Sequence, residues 1–182
     1  MSDDEARDDE ARDDGSRDDE TRGDRDDRAA DRSPPRARPR VRPRLIGHVH
    51  LKVRDLDRAV RFYTDVLGFE VTELAAGRYA FLSAGKRHHD VALQSVGADA
   101  PVPARHAVGL YHFAIELGDL DALDEARRAL ADAGVAPSAV DHGISRALYF
   151  TDPDGNGVEL YVDTRGEPGG REGWGGMSRP LR

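Results

Sequence analysis

Hydrophobic and polar residues begin to alternate regularly at about residue 45 of this chain. In the segment HVHLKV, Val49, Leu51 and Val53 fall on one face, whereas two histidines and a lysine fall on the other. Such alternation predicts a half-buried strand with its apolar face toward a core. The opposite face is not ordinary surface, because it presents two imidazoles next to each other.

A helical pattern follows this first strand. Apolar side chains recur at helical spacing from Val60 to Leu67, and Gly68 stands where the helix would end. Either Asp55 or Asp57 can cap its N-terminus. The predicted strands are 48–53, 69–74, 78–83, 90–96, 111–117, 135–140, 146–151 and 157–163, with a second helix at 120–133 and a linker at 97–108.

The second half of the chain repeats the first. His48 recurs as His112, 64 residues later, and a DLD triplet follows each of them at the same spacing. Near the end of each half the offset is 67, so that Val91 recurs as Val158. The sequence therefore predicts an α+β fold in which one β-α-β-β-β unit is used twice. The two units span residues 44–96 and 109–163.

Composition limits the size and the compartment of this protein. With 182 residues the chain suits one ordinary domain, and it has no run of about 18 apolar residues that could span a membrane. It has no cysteine, which excludes a disulfide framework and thiolate metal ligands. Its N-terminus lacks the basic and then apolar order of a secretory signal. We therefore expect a cytoplasmic protein without membrane contact.

The two ends differ in composition from the predicted domain at 44–165. Residues 1–43 carry an acidic repeat and then an Arg/Pro-rich stretch, which predicts a disordered arm. Its arginines could contact nucleic acid or an acidic partner, but the acidic repeat would compete for them, so we expect no nucleic-acid binding. Residues 166–182 form a glycine-rich tail around Trp174, which we expect to be flexible or loosely attached.

Three residues in the predicted strands have the chemistry of a metal site. His48 and His112 occupy matching repeat positions, and Glu159 is an acid on an otherwise apolar strand. A single histidine is more often a surface or core residue, and it is the matching positions that favour ligation. Two imidazoles and one carboxylate suit a divalent transition metal. We therefore predict a metalloenzyme with His48, His112 and Glu159 as ligands.

Two β-α-β-β-β units with these residues resemble the vicinal oxygen chelate superfamily of glyoxalases, fosfomycin-resistance proteins and extradiol dioxygenases. The resemblance covers residues 45–163, and the ending DPDGNGVELY supports it strongly for the fold and weakly for the reaction. It implies that the two sheets curl into a half-barrel cup around a divalent metal. It also implies that the three predicted ligands converge there.

The ligand set narrows the choice within this superfamily only in part. The repeat mate of Glu159 is Ala92. The glyoxalase I site that this ligand set resembles has two histidines and two glutamates, so one of the four is missing here. Fosfomycin-type thiol transferases also use two histidines and one glutamate, so that transfer, or a glyoxalase-like lyase or isomerase, stays an alternative. A non-catalytic binding module of the same fold would generally lack the ligands, so the intact set argues against it.

Three outer residues resemble those of extradiol ring-cleaving dioxygenases. These are His89 in the segment KRHHDVAL, His142, and Tyr149, which stands ten residues before Glu159. The resemblance implies that His89 is the acid/base, and that His142 and Tyr149 bind and help to deprotonate a catechol. Strict alternation along the strand would turn His88 inward instead, so His88 is the reserve candidate.

The implied reaction is ring cleavage of a catechol-like aromatic by O2, as part of aromatic compound catabolism. The implied cofactor is Fe(II), with Mn(II) as an alternative, and no organic cofactor is needed. The best-known extradiol enzymes carry two such modules, whereas this chain has one. A homodimer or higher homo-oligomer could replace the missing half.

Overall fold

The structure is a computed structural model that describes residues 41–104 and 106–181. The described residues from Pro43 onward form one compact unit. The predicted arm at 1–43 lies almost entirely outside the described residues, so its disorder stays a prediction. Across the described ranges no helix has both the length and the apolar character needed to cross a lipid bilayer.

The first repeat folds in the predicted order of one strand, one helix and three strands. Asp55 caps the helix, because its carboxylate accepts a hydrogen bond from the backbone N–H of Arg58 at 3.0 Å. The helix runs on into a π-helical turn, and Gly68, with φ of +74°, follows its end. The elements are β1 (Val49–Val53), α1 (Leu56–Arg61), the π-helical turn (Phe62–Val66), β2 (Glu70–Ala75), β3 (Tyr79–Ser83) and β4 (Val91–Ser95).

The second repeat is built in the same way. Asp119 caps its helix by accepting a hydrogen bond from the backbone N–H of Ala122 at 2.8 Å, and Gly134, with φ of +75°, follows the helix end. One short strand from the glycine-rich tail is added to its sheet. The elements are β5 (Phe113–Glu116), α2 (Leu120–Asp132), β6 (Ser138–Asp141), β7 (Ser145–Thr151), β8 (Gly157–Asp163) and β9 (Arg179–Pro180).

The strands form two sheets, with the orders β1-β4-β3-β2 and β5-β8-β7-β6-β9. In each repeat the first and last strands are parallel neighbours. Val49 stands opposite Val91 in one sheet, and Phe113 stands opposite Val158 in the other. These are the positions that the sequence offsets relate, so the repeat in sequence is also a repeat in strand register. The α+β class with two β-α-β-β-β units is confirmed.

Several strand boundaries differ from the predicted ones by one to three residues. His48 and His112 each stand one residue before β1 and β5 rather than on those strands. The strand predicted at 135–140 starts only at Ser138, because the backbone N–H of Val135 is still bonded to Leu130 O of α2 at 2.8 Å. Residues 135–137 therefore belong to the connection after α2, and β6 begins after them.

The hydrophobic core is continuous across both repeats. Tyr63 of the π-helical turn after α1 is fully buried in it, and its hydroxyl donates to Asp152 in the turn after β7 at 3.1 Å. Burial and the nearby Asp152 carboxylate raise the pKa of the Tyr63 phenol. Asp154 in the same turn is bonded to Arg58 of α1 at 2.7 Å. These contacts fix the second repeat against the helix of the first.

Candidate active site

Glu159 is the acidic side chain at the centre of the candidate site. It lies on β8 between buried apolar neighbours and is 9 % exposed. A carboxylate so buried is costly unless it has partners. His112 supplies one, with Nε2 2.9 Å from Oε2, and Tyr149 supplies the other, its hydroxyl donating to Oε1 at 2.7 Å. Both carboxylate oxygens are therefore bound.

Strand pairing explains why these side chains meet. Tyr149 stands directly opposite Glu159 in the antiparallel pair of β7 and β8. His112 precedes β5, the parallel neighbour of β8 on its other side. Gly157 permits the close approach, because a Cβ atom there would collide with Tyr111 O and come within 3.1 Å of His112 Cα. Only glycine fits at this position.

His142 extends this group into a chain of four side chains. It lies in the turn between β6 and β7, and its Nε2 is 2.9 Å from the Tyr149 hydroxyl. The order is then His142, Tyr149, Glu159 and His112, each within hydrogen-bonding distance of the next. Burial, and then the bond to Glu159, raise the pKa of the Tyr149 phenol. Tyr149 therefore stays protonated at neutral pH, and these four hydrogen-bonded side chains can hold protons in a defined order.

The histidines of the first repeat form another group. The rings of His48 and His89 lie 4.5 Å apart, beside the starts of the parallel strands β1 and β4. His88 contacts His89, with the two Nδ1 atoms 2.9 Å apart, and its Nε2 lies 3.2 Å from Glu73 Oε2. Both residues precede β4, so strict strand alternation does not govern them, and His89 rather than His88 stands beside His48. Partial burial, and then the rings of His48 and His88, lower the pKa of His89.

The structure brings two of the three predicted ligands together. His112 and Glu159 meet, whereas His48 stands beside His89. In the described part of the chain, no three His, Asp or Glu side chains are close enough to hold a metal ion. His48 and His112 nevertheless line the same cavity of about 930 Å³. A converging imidazole and carboxylate fit a divalent transition metal by their donor chemistry, and the full ligand set stays a prediction.

Comparison with known proteins identifies the family. The model of the Glyoxalase/Bleomycin resistance protein/Dioxygenase superfamily matches residues 45–160. The chain belongs to this superfamily. Catechol-2,3-dioxygenase of Bacillus subtilis (strain 168) is 41 % identical over 118 residues, which cover 65 % of this chain and 41 % of that protein. Biphenyl-2,3-diol 1,2-dioxygenase 3 of Rhodococcus globerulus is 37 % identical over 125 residues, which cover 68 % of this chain and 65 % of that protein.

This member of the superfamily thus spans less than two thirds of the length of either dioxygenase. It also resembles a solved structure with a different activity, lactoylglutathione lyase from Agrobacterium tumefaciens. That structure aligns with a TM-score of 0.52 at 28 % identity and covers 66 % of this chain and 94 % of the lyase. Superfamily membership therefore shows the fold and a relationship to enzymes, but it does not identify which reaction this protein catalyses.

The superfamily ending DPDGNGVELY has a structural explanation here. Asp152 is 4 % exposed, and its Oδ1 accepts hydrogen bonds from the backbone N–H groups of Asp154 and Asn156, both at 2.9 Å. Its Oδ2 accepts from the Asn156 side chain at 2.8 Å and from Tyr63. Asp152 therefore folds the turn that leads into β8, and so fixes the start of the strand that carries Glu159.

Sequence reasoning missed the contacts that the C-terminal segment makes with His142. Ser178 Oγ and Met177 O lie 3.0 Å and 3.3 Å from His142 Nδ1. The ring of Trp174 stands edge-on to the imidazole, with centroids 6.3 Å apart. The one available signal was Trp174, a bulky aromatic residue in a glycine-rich segment, since such a residue needs a surface to pack against.

Proposed function

We propose that this protein is an Fe(II)-dependent extradiol dioxygenase that opens a catechol-like aromatic ring with O2. The chain of His142, Tyr149, Glu159 and His112 carries this proposal. It joins an imidazole and carboxylate suited to a divalent metal to two groups that can bind a phenolic oxygen or move its proton. A domain that only bound a metal would need His112 and Glu159 but would not need His142 and Tyr149.

The proposed metal ligands are His48, His112 and Glu159, with Fe(II) as the metal and Mn(II) as the alternative. Two imidazoles and one carboxylate are the donor set of many non-haem Fe(II) oxygenases, and they leave coordination positions open for other molecules. The chemistry that iron would supply is electron transfer between an electron-rich ring and O2.

The outer residues would divide the proton chemistry between them. A catechol must lose at least one phenolic proton when it binds a metal, and His142 and Tyr149 would hold the oxygen that loses it. Because its pKa is raised, Tyr149 would act as a hydrogen-bond donor. Its lowered pKa favours the neutral form of His89, which could take up a proton and return it as the ring opens.

Two similar proteins support an aromatic diol as the substrate class, since one is named for catechol and the other for biphenyl-2,3-diol. Both are longer than the matched region, so their whole activity comes to this chain only as a proposal. We also propose a role in aromatic compound catabolism and, separately, a cytoplasmic location.

The alternative is another metal-dependent reaction of the superfamily, either fosfomycin-type thiol transfer or a glyoxalase-like lyase or isomerase reaction. The structural likeness to lactoylglutathione lyase favours it. Ala92 speaks against the glyoxalase form, because this buried alanine takes the repeat position of Glu159 and leaves no second glutamate there.

We also propose that the protein works as a homodimer. Four apolar side chains near His48 and His112 are strongly exposed and would be covered by a second copy. These are Ile46, Val108, Leu110 and Tyr111. Mixing His48→Ala with Glu159→Ala protein tests whether the third ligand comes from the other copy. Regained metal binding in the mixture means that it does, and continued loss means that each chain uses its own His48.

The main test is anaerobic reconstitution with Fe(II), followed by catechol and substituted catechols in aerated buffer. Dissolved oxygen and the absorbance of a yellow ring-opened product are recorded together. Matched oxygen uptake and colour are expected. Metal binding without oxygen uptake on any catechol would reject the dioxygenase and leave thiol transfer or isomerisation for testing.

A further inference from the structure

The C-terminal segment folds back onto the sheet of the second repeat. Its strand β9 pairs antiparallel with β6, with Pro180 opposite Val140, and the backbone N–H of Leu181 donates to Ala139 O at 2.9 Å. Strand β6 ends one residue before His142. The pairing therefore carries the residues just before β9 to the turn that holds His142.

A tight turn at the start of the segment directs it there. Backbone bonds join Glu167 N–H to Thr164 O at 3.1 Å and Gly170 N–H to Glu167 O at 2.8 Å, and Arg171 N–H then donates to Gly143 O at 2.9 Å. A Cβ atom at Gly170 would collide with Thr164 O and lie 3.0 Å from two further backbone oxygens. The turn thus requires glycine at this position.

Two polar groups of the segment face the outer nitrogen of His142. Ser178 Oγ is 3.0 Å from Nδ1, and Met177 O is 3.3 Å from it. The indole N–H of Trp174 donates to the same Met177 O, so this carbonyl already has a donor. Of the two, the Ser178 hydroxyl is the group that can donate to Nδ1.

Counting protons along these hydrogen-bonded side chains indicates which tautomer of His142 satisfies all of its contacts. The hydroxyl of Tyr149 has a single proton, which it donates to Glu159 Oε1 at 2.7 Å. The bond between Tyr149 and His142 then needs the proton of His142 Nε2. In a neutral imidazole this leaves Nδ1 as an acceptor. Ser178 supplies the donor that it requires.

We propose that the C-terminal segment is a positioning element, in which Ser178 holds His142 as the Nε2–H tautomer pointed at Tyr149. In this tautomer His142 directs a hydrogen-bond donor at the Tyr149 hydroxyl, and such a donor suits a deprotonated ligand oxygen bound beside that hydroxyl. The use of this donor on a catechol oxygen rests on the proposed function. The tautomer itself does not, and it can be measured without metal or substrate.

The first test reads the tautomer of His142 by long-range ¹H–¹⁵N correlation in metal-free protein with ¹⁵N-labelled histidine, assigned with His142→Gln. Wild type and Ser178→Thr, which keeps the hydroxyl, are expected to show Nε2 protonated. Ser178→Ala is expected to shift His142 toward the Nδ1–H form, which Met177 O can accept. A wild-type ring protonated on Nδ1, or no change in Ser178→Ala, would overturn the proposal.

A second pair of variants leaves every side chain near His142 intact. Gly170→Ala is expected to break the turn, to speed amide exchange at Leu181 and to shift the His142 tautomer as Ser178→Ala does. Gly166→Ala is the matched control, because a Cβ atom there meets nothing within 4 Å, and it should resemble wild type. An unchanged tautomer in Gly170→Ala would contradict a positioning role for the segment.

Activity gives a separate result. In Fe(II)-loaded protein, Ser178→Ala should lower kcat on catechol roughly tenfold, as loss of an orienting partner commonly does. Ser178→Thr should retain most of it. If wild type turns over no catechol while the tautomer results hold, the dioxygenase proposal fails and the positioning proposal stands.

Discussion

The two repeats share a backbone register but differ in the side chains at its centre. In the first repeat Phe81 stands opposite Ala92, and in the second Tyr149 stands opposite Glu159. The equivalent pair of facing residues is therefore apolar in the first repeat, whereas in the second it consists of a phenol and a carboxylate. Duplication supplied the scaffold twice, and the acidic chemistry is present in one copy.

The histidines follow the same division. Each repeat has one just before its first strand, but only His112 has an acid to meet. His48 meets His89 instead, and His89 packs against Phe81 with ring centroids 5.0 Å apart. The first repeat thus offers imidazoles, and the second offers an imidazole and a charged carboxylate. If both contribute to one metal site, removing the carboxylate should have the larger effect.

Glu159→Ala gives the second repeat the alanine that the first has at Ala92. Of the variants considered, we expect it to lower metal affinity the most. The variant loses the only carboxylate of the proposed ligand set, so we expect metal affinity to fall by more than the roughly 10- to 100-fold typical of losing an outer partner. Titration calorimetry with Mn(II), and with Fe(II) under anaerobic conditions, measures it. Glu70→Ala removes an exposed glutamate as the control. Equal affinity in both variants would exclude Glu159 as a ligand.

Gly157→Ala tests the close approach of β8 to Tyr111 and His112 in the second repeat. The first repeat has Asp90 at the matching position, so it does not need glycine there. The new Cβ would push against Tyr111 O and His112, so we expect about 1–3 kcal/mol loss in the free energy of unfolding. Metal affinity should fall as His112 moves from Glu159. Urea denaturation checks the stability, and Gly118→Ala, with open space around its Cβ, is the control. Equal stability of the two variants would refute the steric argument.

Tyr149→Phe copies the aromatic residue that the first repeat has opposite Ala92. It removes the hydroxyl between His142 and Glu159, so one carboxylate oxygen loses its donor, at about 1–2 kcal/mol of stability. Turnover on catechol should fall roughly tenfold or more, with a smaller change in KM. Tyr79→Phe in the first repeat should leave kcat unchanged. Equal kcat in both variants would remove Tyr149 from the proposed mechanism.

Local patterns in the sequence were sufficient to predict most of the fold. Strands and helix caps depend on spacings of a few residues, and the repeat on residues that recur at nearly constant offsets of 64 and 67. Asp55 and Gly68 act as their positions indicate. Tyr149 was identified by the resemblance, in which it stands ten residues before Glu159, and the pairing of β7 with β8 explains this spacing because it places the two residues opposite each other.

Contacts between distant segments were not accessible in this way. The resemblance implies that His48 joins His112, but the repeat pattern in the sequence does not fix how the two sheets face each other. That arrangement depends on contacts such as Tyr63 with Asp152, 89 residues apart. Strand β9 is two residues long and has no periodicity, so neither its pairing nor the contact of Ser178 with His142 had a pattern to reveal it.

The smallest expected effect concerns the ends of the last strands, where β8 finishes in Asp163 and the matching residue of the first repeat is Val96. Hydrogen bonds from the Arg165 side chain and backbone lower the pKa of Asp163 from 3.8 to about 2. Because the pKa is lower in the folded protein, the contribution to stability is present above about pH 4. It is lost as pH falls through 2.

Asp163→Asn removes this contribution. Since the ion pair is solvent-exposed, we expect only a small drop in the urea midpoint at pH 6, and the difference from wild type should vanish near pH 2. Asp99→Asn, which changes an exposed linker aspartate, controls for the loss of one charge. An equal difference between wild type and Asp163→Asn at both pH values would mean that Asp163 acts through the strand end rather than through its charge.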